Sequence, residues 1–379
     1  MIFLGLASNY SARDIWRHSF TLGSRRDYRR LELALASRYG ATLANTSLVF
    51  SGRTAIYLAL QSFIESGRLK PGDHVALNAF TCHAVVEAIR RAKLTPVFVD
   101  LAPRSPDYSA AALAEKCQQD KRLRAFILQN TFGNPVDIAA FEAVKRQYGL
   151  LLLEDLAHCA GRHYPDGREI GTVGEAACLS FGKGKAIDTI HGGAVLLRDP
   201  TLRLPKTFDK SAFCRRQHTG GDPPRASWYP LFGAIARGLA HLHLEKPWLW
   251  LLLKLHWIER SADTKLRTDK TITVWQAKLA LRQLAHLPDK PLREYYLIDH
   301  RDECLKHLRQ KGYRLEEFWY EVPVAPTRYY TDVHFPEKDC KNAVFFAAHV
   351  INLPTWYHDK KHQKQIADAR KLIKTYEVR

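Results

Sequence analysis

Apolar and polar positions follow two rhythms along this chain. Continuous apolar runs at Val75-Ala76-Leu77, Val97-Phe98-Val99, Ala125-Phe126-Ile127-Leu128 and Leu150-Leu151-Leu152-Leu153 read as strands. The stretches between them carry helical spacing. Ile56, Leu58, Ala59, Leu60 and Phe63 predict one helix, Val85, Val86, Ala88 and Ile89 a second, and residues 138–148 a third. The alternation is a βαβ rhythm, and strands that are apolar at every position belong to a sheet covered on both faces. Farther along, Gly193-Ala194-Val195-Leu196-Leu197 predicts a returning strand and Val274 to Leu287 a helix. Ile351-Asn352-Leu353-Pro354 then precedes an amphipathic helix from Asp359 to Tyr376. The fold class is α/β with a mostly parallel central sheet.

The richest stretch lies between Leu150 and Gly193. An apolar strand there ends in Glu154-Asp155, and Ser180-Phe181-Gly182-Lys183-Gly184-Lys185 follows, then His191-Gly192-Gly193. A carboxylate at the C-terminal end of a strand can hold a protonated ring nitrogen. A lysine after a small, flexible turn can form a Schiff base with an aldehyde. Either motif alone is also what a solvated turn or an ordinary glycine-rich loop looks like. Ser51-Gly52-Arg53-Thr54-Ala55 adds small residues ahead of a helix, which expose backbone N–H groups to a phosphate.

Six blocks in order resemble the DegT/DnrJ/EryC1/StrS sugar aminotransferases, a branch of the fold-type-I pyridoxal-phosphate enzymes. They are Ser51 to Ala55, Pro71-Gly72-Asp73-His74-Val75, Pro96 to Asp100, Phe132-Gly133-Asn134-Pro135-Val136-Asp137, Glu154-Asp155-Leu156-Ala157-His158, and Ser180 to Lys185. The resemblance implies a large cofactor-binding domain and a smaller C-terminal α+β domain, with pyridoxal 5'-phosphate as cofactor. It makes Lys185 the Schiff-base lysine and Lys183 only its neighbour. Asp155 would pair with the pyridine nitrogen, and His158 would lie beside the cofactor. Ser180 and the backbone around Gly52, Arg53 and Thr54 would hold the phosphate. Related dehydratases carry His in place of this lysine, so Lys185 favours amino transfer. Once displaced, its amine can shuttle a proton, provided that desolvation and nearby positive charge keep it largely neutral.

The chain departs from the family pattern at three places. Cys82 stands where many relatives place an aromatic ring that stacks on the cofactor; His83 or Phe80 is left to supply that face, or to be ordinary packing. Asp269-Lys270-Thr271-Ile272 replaces an Asn-Tyr-Arg-like stretch that reaches the partner subunit's phosphate, leaving Arg267 or Lys270 to compensate for the Asp269 charge. The segment from Tyr229 to Arg260 holds Trp248-Leu249-Trp250-Leu251-Leu252-Leu253-Lys254-Leu255-His256-Trp257-Ile258. This run is too short to span a bilayer, which takes roughly 20 apolar residues. It fits a buried dimer or interdomain helix, and it also fits a helix lying in a membrane interface.

With 379 residues and 46% hydrophobic content, the chain can bury a large core. Seven cysteines show no paired metal-ligand spacing and read as reduced thiols of a cytoplasmic protein, and no metal is expected. The brief apolar start at Met1-Ile2-Phe3-Leu4 lacks a basic leader and does not read as a signal peptide. Charge is more unusual: 57 basic against 39 acidic residues leave +18, a field that attracts anions. A nucleotide sugar ranks first among them, with a contribution from anionic membrane surface. Nucleic acid ranks last, because no compact aromatic-basic motif or helix-turn-helix is evident.

These placements give an N-terminal arm over 1–27, a large α/β domain over 28–260 and a small domain over 261–379. Arg215-Arg216-Gln217-His218-Thr219-Gly220 resembles the family's substrate loop, which makes His218 a candidate substrate contact beside its reading as a solvated loop residue. The leading expectation is a homodimeric enzyme that takes nitrogen from glutamate or glutamine and aminates a nucleotide-linked keto sugar for polysaccharide or glycoconjugate synthesis. The rival is an inactive binding or scaffold protein on the same fold at a membrane assembly. A non-sugar ketone acceptor stays open as a third reading.

Overall fold

The computed structural model describes residues 2–3, 23–189, 191–208, 245–254, 266–287, 289–315, 320–355 and 360–378. Helix α1 (Arg25–Tyr39) opens on a capping box in which Ser24 and Asp27 satisfy each other's backbone N–H groups. It closes where Gly40 turns left-handed at φ 67°. Then follow β1 (Thr46–Val49), α2 (Gly52–Glu65), β2 (His74–Asn78), β3 (Thr81–Cys82), α3 (His83–Arg91), β4 (Thr95–Val99), α4 (Ala110–Gln119) and β5 (Leu123–Leu128). Next come α5 (Ile138–Tyr148), β6 (Leu151–Asp155), β7 (Ala176–Ser180) and β8 (Gly193–Leu197). Helix α5 has the bounds its apolar spacing predicts, because Asp137 caps its start and Gly149 its end.

Seven of these strands form one sheet in the order β1-β8-β7-β6-β5-β2-β4, parallel throughout except for β8, which runs against both neighbours. Alternate residues of a strand point to opposite faces, so each central strand feeds two cores. Ala125, Ile127, Leu151 and Leu153 join α2 and α3 on one face, whereas Phe126, Leu128, Leu150 and Leu152 join α1, α4 and α5 on the other. Helix α6 (Glu245–Lys254) falls within the Trp-rich segment. Helix α7 (Val274–Leu284) stops three residues short of the expected end and buries Ala277, Ala280 and Leu284 in the α1 face.

The C-terminal lobe comprises β9 (Arg293–Leu297), α8 (Arg301–Gln310), β10 (Val324–Ala325), α9 (Lys341–His349), β11 (Val350–Pro354) and α10 (Lys360–Lys374). Strands β9 and β11 pair antiparallel. Tyr296, Ile351 and Leu353 meet Leu305, Leu308, Ile366 and Ile373 in a third core, while Leu297 and Val350 turn toward the α2–α3 face of the large sheet. A second link joins the two units, since β10 pairs parallel with β3 through Val324↔Thr81 and Ala325↔Cys82.

Period-two geometry also separates the two carboxylates at the end of β6. Glu154 is fully buried. It accepts from Tyr164 Oη at 2.7 Å and from the backbone N–H groups of Gly171, Val173 and Gly174 at 2.7, 2.8 and 2.6 Å. This one side chain therefore organises the β6–β7 connection, and Asp155 on the opposite face is left for other work. Glu154→Ala would strand three buried donors, and unfolding in urea should show a loss of at least about 3 kcal/mol. A variant as stable as the parent would refute this role.

Candidate active site

Asp155 ends β6 beside Cys178 of β7, its register partner. The carboxylate is buried, and Oδ1 accepts from the Ala157 N–H at 3.0 Å. Burial pushes its pKa up; the Ala157 hydrogen bond and the Lys185 charge work against that rise. Ser180 ends β7 two residues beyond Cys178, so its side chain falls on the same face as Asp155.

Lys185 lies in the loop from Phe181 to Gly192, which folds back on itself through Phe181 N–H to Gly192 O at 2.8 Å and Thr189 N–H to Phe181 O at 2.9 Å. The Gly184 N–H donates to Asp188 Oδ2 at 2.9 Å, with Gly184 at φ 75°. Two glutamines of α7 brace the loop from outside. Gln283 accepts from the Asp188 N–H at 2.7 Å and donates to the Asp188 carbonyl at 2.8 Å. Gln276 donates to the carbonyls of Thr189 and His191 at 2.9 and 3.1 Å. Part of Lys185 still reaches solvent, yet desolvation of its amine dominates and lowers its pKa to about 8. Cys82, Asp155 and Cys159 favour the cation, whereas Arg293 opposes it. Lys183 is exposed.

His158 is buried and accepts from the Phe132 N–H at Nδ1, 3.1 Å away. Burial, then the charges of Lys185 and Arg293, hold the ring neutral far below its ordinary titration range. With Nδ1 accepting, the proton sits on Nε2, which faces Tyr320 Oη at 3.4 Å.

An anion cradle adjoins this cluster at the start of α2. Ser51 Oγ accepts from the Thr54 N–H at 3.2 Å, and helix N-termini attract anions. Only glycine fits at position 52, because a Cβ there would lie 2.8 Å from that of Ser180. The Arg53 guanidinium meets Glu87 of α3 at 2.6 Å, so this residue offers the cradle its backbone. Thr54 Oγ1 donates to the Arg267 carbonyl at 3.0 Å, and the Arg267 guanidinium lies 5.9 Å from the Phe50 ring centre; Asp269 is exposed.

The structure thus brings Lys185, Asp155, His158, Cys82, Ser180, Gly52, Arg53 and Thr54 to one edge of the sheet. A desolvated amine, a desolvated carboxylate and a glycine-floored anion cradle suit the aldehyde, ring nitrogen and phosphate of pyridoxal phosphate. Among the candidate stacking residues, His83 stacks on Tyr329 at 4.5 Å, and Phe80 is a core residue with edge contacts to Phe132, Tyr320 and Phe346. His218 lies outside the described residues. Two neighbours of the site escaped sequence reasoning. Arg293 is completely buried, with Nε donating to Asn352 Oδ1 at 2.5 Å, and Tyr320 enters from the C-terminal lobe. In sequence, Arg293-Glu294-Tyr295 looks like a solvent-facing stretch, and nothing marks Tyr320.

Residues 11–214 match the sequence profile of the DegT/DnrJ/EryC1/StrS aminotransferase family. The chain is 28% identical over 314 residues to a GDP-perosamine synthase of Caulobacter vibrioides, covering 80% of this chain and 79% of that one. It is 32% identical over 185 residues to a UDP-N-acetyl-3-dehydro-alpha-D-glucosamine 3-aminotransferase of Acidithiobacillus ferrooxidans, covering 48% and 47%. Among solved structures, Spr1654 from Streptococcus pneumoniae in its PLP form superposes with TM-score 0.66 at 15% identity, covering 98% of this chain and 99% of that one. The aminotransferase TlmJ from Streptoalloteichus hindustanus gives 0.65 at 19%, covering 99% of each. At such identities the likeness shows the fold.

Chemical labelling of Lys185 in the cofactor-free protein should follow its neutral form, with a midpoint near pH 8 instead of the ordinary 10.5. The Asp155 charge favours protonated lysine, so Asp155→Asn should move that midpoint down. Mass spectrometry of the labelled peptide across pH reads both; a midpoint near 10.5, or an upward move in the variant, would contradict this electrostatic picture.

Proposed function

The chain belongs to the DegT/DnrJ/EryC1/StrS aminotransferase family of pyridoxal-phosphate enzymes, and from that membership we propose that it carries nitrogen from glutamate or glutamine to a keto sugar held on a nucleotide. The product would serve polysaccharide or glycoconjugate synthesis. The observation that carries this reading is the convergence of the desolvated Lys185 amine, the buried Asp155 carboxylate and the glycine-floored start of α2 at the ends of β6 and β7. The nucleotide-sugar aminotransferases among the relatives support the choice of acceptor.

Bound pyridoxal phosphate supplies an electron sink for negative charge developing at the carbon next to the transferred nitrogen. Lys185 would hold the aldehyde carbon at rest and, once displaced, move a proton to and from the substrate carbon. A pKa near 8 leaves a useful share of its amine neutral around neutral pH. Asp155, stripped of water, gains most from a cationic neighbour, and a protonated ring nitrogen is one. Neutral His158, whose N–H faces Tyr320, adds no charge beside the site. Gly52, Arg53 and Thr54 through their backbone, and Ser180 through its hydroxyl, would hold the phosphate. The +18 field would draw the nucleotide's phosphates inward. The scaffold reading has less support, because a protein released from chemistry has no need to keep a desolvated amine and carboxylate together.

We take the working form to be a homodimer in the cytoplasm. The six described cysteines are all free thiols, as a reducing compartment keeps them. The purified protein should show a visible band from lysine-bound cofactor that borohydride abolishes, and Lys185→Ala should remove both band and activity. Labelled glutamate offered with a panel of nucleotide keto sugars should give labelled amino sugar. A wild-type protein that never takes up pyridoxal phosphate ends the reading.

A peripheral contact with anionic lipid is a second element of the proposal. On α6, Trp250 is 59% exposed and Leu251 is exposed as well, with the Lys254 amine 4.8 Å from the Trp250 ring centre. Aromatic, aliphatic and cationic groups together suit an anionic interface, and the net charge has the matching sign. Among the described residues no helix is long and apolar enough to cross a membrane. Vesicles rich in anionic lipid should float the wild-type protein, and Trp250→Ser with Leu251→Ser should weaken flotation severalfold. Equal flotation of both forms would remove α6 from the contact.

A further inference from the structure

A planar cofactor held by Lys185 and Asp155 needs a flat apolar cover for its ring, and the neighbouring aromatic side chains are mostly committed. Phe80 is locked in the core, the His83 ring lies on Tyr329 at 20°, and Phe132 runs parallel to His158. Cys82 precedes α3 with a short side chain and makes no cap hydrogen bond. The parallel pairing of β10 with β3, reinforced by the Thr81 N–H to the Pro323 carbonyl at 2.8 Å, delivers the chain just before β10 alongside Phe80 and Cys82. Tyr320 lies on that stretch. Its ring meets Phe80 edge-on at 5.2 Å, and its hydroxyl reaches His158 Nε2. The residue is partly buried against the α2–α3 core.

We propose that Tyr320 is the aromatic cover of the cofactor ring, a positioning residue supplied by the C-terminal lobe and seated in the room that the small side chain of Cys82 leaves. This rests on the pyridoxal-phosphate reading of the site. The hydroxyl's part is to aim the ring: with the Nε2 proton donated toward Oη, the tyrosine is tied to a histidine that Phe132 in turn fixes. Burial, with Cys82 and Asp155 next in effect and Arg293 opposing, keeps the phenol protonated, so the cover adds no charge. Cofactor retention therefore depends on the C-terminal lobe being docked.

The experiment titrates cofactor-free protein with pyridoxal 5'-phosphate and reads the dissociation constant from absorbance and fluorescence. Loss of one stacked ring should weaken binding about tenfold in Tyr320→Ala, whereas Tyr320→Phe should keep most of the affinity. Cys82→Phe alone should also weaken binding, because two rings then compete for one space. In the Cys82→Phe, Tyr320→Ala double variant the new ring takes over, and affinity should recover toward wild type. Tyr320→Leu, which keeps apolar bulk, stands in if thermal melts show Tyr320→Ala unfolded. Wild-type affinity in Tyr320→Ala or Tyr320→Leu, or a double variant no tighter than Tyr320→Ala, overturns the proposal. Absence of cofactor binding by the wild type overturns the underlying reading instead.

Discussion

Strand β6 imposes the constraint on which the rest depends: neighbouring residues must point to opposite faces of the sheet. At its end this rule sends two successive carboxylates in different directions. Glu154 goes into the α1–α5 face, where three backbone N–H groups and a tyrosine make it the anchor of the β6–β7 connection. Asp155 goes to the α2–α3 face, where a single backbone donor leaves most of its hydrogen-bonding capacity for the site. Because β7 runs parallel and in register, Cys178 and Ser180 follow Asp155 onto the same face. The start of α2 meets Ser180 there at a distance that only glycine permits.

The electrostatics of the site follow from burial more than from any one pair. Desolvation is the leading influence on Lys185, Asp155, His158 and Tyr320 alike, and it drives each toward its uncharged form. The pairings then discriminate among them. Asp155 and Lys185 each favour the charged form of the other, while Arg293 reinforces the neutrality of His158 and Lys185. The result is a largely desolvated cluster in which Lys185 and Asp155 favour each other's charge while His158 and Tyr320 stay neutral.

Much of this was legible in the chain. The apolar runs located the central strands, the 138–148 helix has the bounds its spacing gives, and the family resemblance pointed to Lys185, whose amine is desolvated, over the exposed Lys183. What escaped were the residues whose surroundings come from distant segments. Arg293 and Asn352 meet because β9 and β11 pair, and an arginine next to Glu294 and Tyr295 gives no hint of burial. Gln276 and Gln283 reach the lysine loop from a helix whose apolar stripe reads as ordinary packing. Tyr320 lies four residues ahead of a two-residue strand, which is too short for any periodicity to announce.

The same short pairing of β3 with β10 has a consequence for motion. A ladder of two rungs is among the weakest joints a sheet can make, but Val324 on it is fully buried in the α2–α3 core, so freeing it also strips that side chain of its packing. Opening at that corner therefore costs apolar burial as well as two backbone rungs, and the side chain of Val324 acts as the rivet that keeps the C-terminal lobe against the reactive end of the sheet.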